Sequence, residues 1–324
     1  MKKYKKISEK YIINNYLKKL HFNRKEAFDF KNDAAFLNLA KNKQIVVTND
    51  TIIESIDFFK KDPPESIANK IITYNLSDIS SMGSSPYAYT LSLCLPRNIK
   101  DEWLKRFTKK LYSLQKKYNF FLIGGDISKT NKIIISCNFF GYVSKGKIIK
   151  RKGAKINDNI WITGNIGEST VGLKIKQKKI KVNYLDKKYF LNKYLYPKHF
   201  SFGDKICNYV SSAIDISDGF YGDLNNLIND ENFGASIKKK LIPYSIKTQK
   251  LINSRIITID SLLSSGDDYE LIFTANSKNS SIIKRISKKN NVKITKVGKI
   301  IKKKGIYMDD KKIKIVEKSF DHFA

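Results

Sequence analysis

Residues 65–96 read ESIANKIITYNLSDISSMGSSPYAYTLSLCLP, and this stretch decides the architecture. Residues 65–82 read as a helix that ends at Gly83, with Pro86 just beyond. Residues 87–95 are apolar and β-prone, and Pro96 stops them. A helix thus hands over to a strand through a small-residue turn, and the pattern recurs on either side. Upstream, residues 44–48 (QIVVT) form a short buried strand that ends in polar Asn49, Asp50 and Thr51, and the first thirty residues read as one amphipathic helix through Ile7, Tyr11, Ile12 and Leu17. Downstream, residues 100–118 are a second amphipathic helix, residues 120–123 a strand running into Gly124-Gly125-Asp126, and residues 133–143 another strand.

The second half repeats the alternation. A polar, turn-rich stretch at 148–157 marks a boundary, giving two domains, 1–150 and 151–324. Residues 159–163 are a strand that meets Gly164-Asn165-Ile166-Gly167. A strand at 212–216, a helix at 222–228, a strand at 270–274 and a further helix and strand to Val297 follow. The fold class is α/β or α+β, in two halves without a short repeat.

Composition narrows the function. The chain has 324 residues and a formal charge of +32. Such a charge points to an acidic partner, but the lysines are scattered over turns and helix faces, not gathered in a stripe with aromatics. Together with the abundance of Ile, Asn, Tyr and Phe this fits a base-biased genome and a solvated surface; no specific nucleic acid is expected. Three cysteines without CxxC spacing argue against a disulfide scaffold or structural zinc and fit a reducing cytoplasm. The N-terminus lacks the apolar core of a signal peptide, and no window has the apolar length of a membrane span.

The acids are the informative residues. Only 30 are present, and several stand at element ends among small residues: Asp33, Asp50, Asp78, Asp126, Asp215, Asp218 and the pair Asp267-Asp268. One converging carboxylate pair costs about 4 kcal/mol at an effective dielectric near 20. A protein keeps such a cluster when cations occupy it, and magnesium fits, because it takes hard oxygen ligands and shares its shell with substrate phosphates. Zinc is disfavoured by three widely spaced histidines. Any single acid can instead be a helix cap or turn residue, as Asp78 and Asp218 can. Gly124-Gly125 and Gly164–Gly167 either bring backbone amides to a phosphate or form tight turns. Arg151 either clamps a phosphate or lies on the surface.

In order along the chain, NDAAFL, VVTNDTIIESIDF, NLSDISSMGSSP, GGDISKT, RKGAKINDNIWITGNIGESTVGL, DISDGFYGDL, SGDDYELIFT and SFDHFA resemble the motifs of the thiamine-monophosphate kinase family, within the larger group built like aminoimidazole ribonucleotide synthetase. The resemblance runs from about residue 30 to the C-terminus. It implies an N-terminal α/β domain whose strands form a dimer barrel, a C-terminal α/β domain, a homodimer, and transfer of the γ-phosphoryl of ATP to thiamine monophosphate. It implies that Asp33, Thr48, Asn49, Asp50, Asp78, Asp126, Asp215 and Asp218 hold several magnesium ions, with Asp78, Asp126 and Asp218 central to catalysis. Gly125, Asp126, Arg151 and Ser217 would face ATP, and Asp57, Asp267 and Phe320 the thiamine phosphate. Phe320 either stacks on a heterocycle or packs as a C-terminal aromatic. The sequence departs from the family at Asn32, Asn49, Asp57 and Asp267, which replace Asp, Ser or Thr, His and Glu. Rival readings are a sibling ATP-dependent synthetase, its selenium-handling form disfavoured because no Cys precedes Cys94 and its purine-synthesis form by the GDDYEL and NLSDISSMG motifs; a nucleic-acid-binding module, for which no signature is present; and a dimer that has lost activity, disfavoured by the retained acids.

Overall fold

The computed structural model describes residues 7–228 and 232–313. It divides into two compact units, one of Met1–Ile79 and Ser85–Lys145, the other of Ser80–Ser84 and Gly146–Ala324.

The first unit opens with a short helix α1 (Glu9–Ile12) that continues through turns of other pitch at Ile13–Leu17, Lys18–His21 and Lys25–Phe30. The single amphipathic helix expected for the first thirty residues is therefore broken. Phe22 and Asn23 take left-handed conformations, as do Phe28 and Asp29. Tertiary bonds substitute for the helical ladder: the Gln115 side-chain amide donates to the Leu20 carbonyl at 2.7 Å, a partner that sequence periodicity cannot supply.

Next come β1 (Lys43–Ile53), α2 (Pro64–Ser81), β2 (Ser85–Leu95), α3 (Asp101–Tyr118), β3 (Phe121–Lys129) and β4 (Ile134–Ser144). The sheet order is β1-β4-β2-β3. β1 and β2 flank β4 antiparallel, and β3 runs parallel to β2 after the α3 crossover. α3 buries Leu104, Phe107, Leu111 and Leu114, at the three- and four-residue spacing of one face. It is closed by left-handed Asn119. Tyr89, Phe120 and Phe139 form a mutually packed aromatic group in the core.

Two strands are longer than their sequences suggest. β1 does not end at Thr48, because Asn49, Asp50 and Thr51 stay in register with Asn138, Cys137 and Ser136. β3 carries Gly124, Gly125 and Asp126 within it, opposite Thr90, Leu91 and Ser92 of β2 after a register shift. Pairing to a neighbour already in place holds polar and glycine residues in a strand against their own preferences.

The second unit contains β5 (Asn159–Thr163), α4 (Glu168–Lys176), α5 (Tyr184–Leu195), α6 (Gly203–Ile206), β6 (Ser212–Asp215), α7 (Phe220–Ile228), β7 (Gly234–Ile237), α8 (Ile246–Asn253), α9 (Ile259–Leu263), β8 (Leu271–Ala275), α10 (Ser280–Lys289), β9 (Ile294–Ile301), β10 (Gly305–Met308) and β11 (Lys311–Lys312). Its sheet runs β11-β10-β7-β9-β5-β8-β6. All its pairs are antiparallel except β7 with β10. Every residue of β5, β6 and β8 is buried. Alternate residues explain this, since Ile160 and Ile162 enter a core with Phe220 and Leu224 of α7, while Trp161 and Phe273 enter a second core with Ile206 and Ile283. Helices thus cover both faces of an α+β sheet, and its strand ends are left to carry chemistry.

Candidate active-site carboxylates

In the first unit β1 sorts its side chains by alternation. Thr48 and Asp50 share a face with buried Val46 and Ile52. Thr48 Oγ1 donates to Asp78 Oδ2 near the end of α2. The Asp50 carboxyl is pushed up to about 7, first by burial and then by the charges of Asp78 and Asp57. The charges of Asp78 and Asp57 thus reach the Asp50 carboxyl. Asp50 Oδ2 is out of reach of water and has no hydrogen-bond partner among the described residues. A buried, unbonded carboxylate oxygen under the charge of two other acids is a natural acceptor for a cation.

Asn49 lies on the opposite face, where its amide donates to Asn138 Oδ1 at 2.8 Å and to the Cys137 carbonyl at 3.2 Å. The structure does not bring its side chain to Asp50, because neighbouring residues on a strand point apart. Asp57 sits in the turn after β1, and its Oδ2 accepts from the Ile53 amide at 2.7 Å.

Asp33 and Asp126 lie elsewhere in this unit. Both line a cavity of ≈290 Å³ with Asn32, Thr90, Gly124 and Gly125. Both are exposed, and Asp126 accepts from Ser128 Oγ at 2.9 Å. The two glycines differ. A Cβ on Gly124 would meet nothing within 4 Å, so its backbone is open to an incoming group, whereas one on Gly125 would lie 2.0 Å from the Leu91 carbonyl oxygen. Gly125 is needed for strand packing, and Gly124 offers the open approach.

In the second unit the motifs DISDG and SGDDYEL run side by side. The Ile216 amide donates to the Glu270 carbonyl at 2.7 Å, the Tyr269 amide to Ile216 at 2.8 Å and the Asp267 amide to Ser217 at 3.0 Å. A Cβ on Gly266 would fall 1.7 Å from the Ser217 carbonyl oxygen, which is why glycine stands there. Asp215 is buried at the end of β6, and Ser217 and Asp218 follow it into the turn before α7. Asp215, Ser217, Asp218 and Asp267 are thereby gathered at one edge. Asp223 shapes this turn: its Oδ2 accepts from the Asp218 amide at 3.0 Å and the Gly219 amide at 3.1 Å. Burial and the Asp218 charge push its carboxyl up to about 7. Its position in the motif held the signal, since an acid in the first turn of a helix can reach back to the amides before it. Arg151 is exposed, one residue after Lys150, whose carbonyl accepts from Ala213 of β6 at 3.1 Å.

The glycine pair at 164 and 167 resolves as turns clasped by acids. Gly164 has φ +58, and a Cβ there would sit 1.7 Å from Glu270 Oε1. The Gly167 amide donates to both oxygens of Asp268, at 3.0 and 2.8 Å. Glu270 also accepts from Thr163 Oγ1. Burial first holds the Asp268 carboxyl well above its usual range and pushes Glu270 up to about 7. Phe320 lies outside the described residues.

Among the described residues no three His, Cys, Asp or Glu side chains are gathered tightly enough to hold a metal alone. No helix among the described residues is long and apolar enough to cross a membrane.

Residues 31–143 match the family of AIR synthase related proteins, N-terminal domain. The chain is 33% identical to the thiamine-monophosphate kinase of Buchnera aphidicola subsp. Acyrthosiphon pisum, over 98% of this chain and 99% of that protein. It superposes with a TM-score of 0.81 on a thiamine-monophosphate kinase from Stenotrophomonas maltophilia K279a, at 27% identity, covering 87% of this chain and 90% of the other. The structure of AaThiL complexed with AMPPCP and TMP aligns with a TM-score of 0.79 at 25% identity, over 88% of this chain and 89% of the other.

Proposed function

The chain belongs to the thiamine-monophosphate kinase family, and from this premise we infer how its own residues carry out ATP-dependent phosphorylation of thiamine monophosphate to thiamine diphosphate. The acceptor is a phosphate oxygen, ionised at neutral pH, so no strong general base and no covalent nucleophile are required. The work is positioning and charge neutralisation.

Asp33, Thr48, Asp50, Asp78 and Asp126 in the first unit, and Asp215 and Asp218 in the second, would hold magnesium ions. The observation that carries this is the buried, unpartnered oxygen of Asp50 beside two other acids. Magnesium, when bound, would supply positive charge that offsets the negative charge on the transferring phosphoryl oxygens. Gly124 and Gly125 present the β3 backbone, with Asp126 next to them, at the cavity that would accept the triphosphate of ATP. Arg151 can hold a phosphate with two parallel N–H donors, and Ser217 offers a hydroxyl. Asp57, Asp267 and Phe320 are assigned to thiamine monophosphate. In this reading residues 1–150 form the ATP- and magnesium-binding domain and residues 151–324 the second α/β domain. The enzyme is a cytoplasmic homodimer, with β1 to β4 contributing to a shared barrel.

Product formation tests the assignment. The protein is incubated with thiamine monophosphate, ATP and magnesium, with free thiamine and a magnesium-free sample in parallel, and thiamine diphosphate is followed by chromatography. Magnesium-dependent diphosphate from the monophosphate alone is expected. ATP binding without product would redirect the assignment to a sibling synthetase.

A further inference from the structure

Lys70 stands out in a chain whose cations are otherwise solvated. It lies on α2, is 1% exposed, and no other Lys or Arg is buried among the described residues. An ammonium taken out of water costs several kcal/mol unless it is bonded in place. Lys70 Nζ donates to the main-chain carbonyl of Asp57 at 3.0 Å.

The turn that carries Asp57 is closed mainly on itself. The Ile56 and Asp57 amides donate to the Ile53 carbonyl at 3.1 and 3.0 Å, and the Ser55 amide to Phe58 at 2.8 Å. The Asp57 carboxylate takes the Ile53 amide, and Ser55 has φ +73. Such a turn keeps its shape but needs an anchor to hold its place. Lys70 provides one from α2. Eight residues further along that helix, about 12 Å at 1.5 Å per residue, Asp78 takes the Thr48 hydroxyl of β1. One rigid helix thus grips the chain on both sides of Asp50, at Thr48 through Asp78 and at Asp57 through Lys70.

We propose that Lys70 is a positioning residue that fixes the Asp57 turn relative to the carboxylates of α2 and β1, and so sets the fit of thiamine monophosphate. This rests on the reading of Asp57 as a substrate contact. A lysine suits the task because its four-carbon stem spans from a helix to a neighbouring turn while its apolar length packs in the core.

The test uses Lys70→Met, which keeps the stem and removes the donor. The KM for thiamine monophosphate is expected to rise about tenfold, as for loss of a group that orients a ligand, with the KM for ATP unchanged within about twofold. In an Asp57→Ala background the same substitution should add nothing to the KM, because its effect runs through Asp57. Amide hydrogen exchange at Ile53, Ile56 and Asp57 should accelerate while β3 amides stay as they were. Unchanged exchange overturns the anchor, as does an equal loss towards both substrates or an undiminished effect in the Asp57→Ala background. The exchange arm decides the anchor even if the wild-type protein makes no thiamine diphosphate, a result that would sink the kinase assignment separately. Should Lys70→Met fail to fold, Lys70→Gln, which retains a donor on a shorter stem, is read by the same exchange and KM measurements.

Discussion

Replacing Asp50 by Asn should make the magnesium-free protein more stable and at the same time inactive. The carboxyl sits at about 7 in the folded chain against an ordinary 3.8, raised by burial and by Asp78 and Asp57. A raised acid binds its proton more tightly folded than unfolded, so stability is lost as pH climbs from about 4 to about 7, and the full penalty is present above that. At about 1.4 kcal/mol per pH unit the penalty approaches about 4 kcal/mol, and relaxation of solvent and side chains brings the expected effect to about 2 kcal/mol. For units of this size that is about 4 to 8 °C in melting temperature. The assay is thermal unfolding of both proteins from pH 5 to 8, with and without magnesium, with circular dichroism to verify the fold. Asp50→Asn should melt higher at pH 8 without magnesium, the gap should shrink towards pH 5, and magnesium should stabilise the wild type more than the variant. A variant that folds yet melts at or below the wild type at pH 8 in the absence of magnesium would refute the argument that Asp50 is held charged against its surroundings.

Other expectations follow from the same geometry. Asp126→Ala and Asp218→Ala, neither of which is buried, should abolish phosphoryl transfer with unchanged melting; near-normal turnover in either would mean the carboxylates are misassigned. Asp223→Ala strips the acceptor from the Asp218 and Gly219 amides, and kcat/KM should fall about 10- to 100-fold, as for loss of a group that orients a ligand; steady-state kinetics on the folded variant decides. Gly164→Ala places a methyl on the Glu270 carboxylate at a φ of +58, and urea unfolding should show a loss of about 2 kcal/mol or more; an unchanged midpoint would mean the turn relaxes freely.

The sequence reached far where local chemistry decides. The helical run ending at Gly83 became α2 (Pro64–Ser81), and the short run at 159–163 that meets Gly164 became β5. The acids in small-residue settings pointed to candidate cation ligands, and the order of their motifs marked the family. Each of these rests on side chains a few residues apart, where periodicity and turn preference are strong.

What only the tertiary structure decided was which partner a residue meets. β1 runs on to Ile53 because β4 lies beside it, and that same pairing turns Asn49 away from Asp50. Gly164 and Gly167 read equally well as phosphate cradles or as turns until Glu270 and Asp268, a hundred residues away, were found against them. Lys70 is one lysine among many in the sequence, and only burial against the Asp57 turn sets it apart. Contacts between residues far apart in the chain depend on how elements pack, and no local pattern records them, so the chemistry of the acids was legible along the chain while their placement was not.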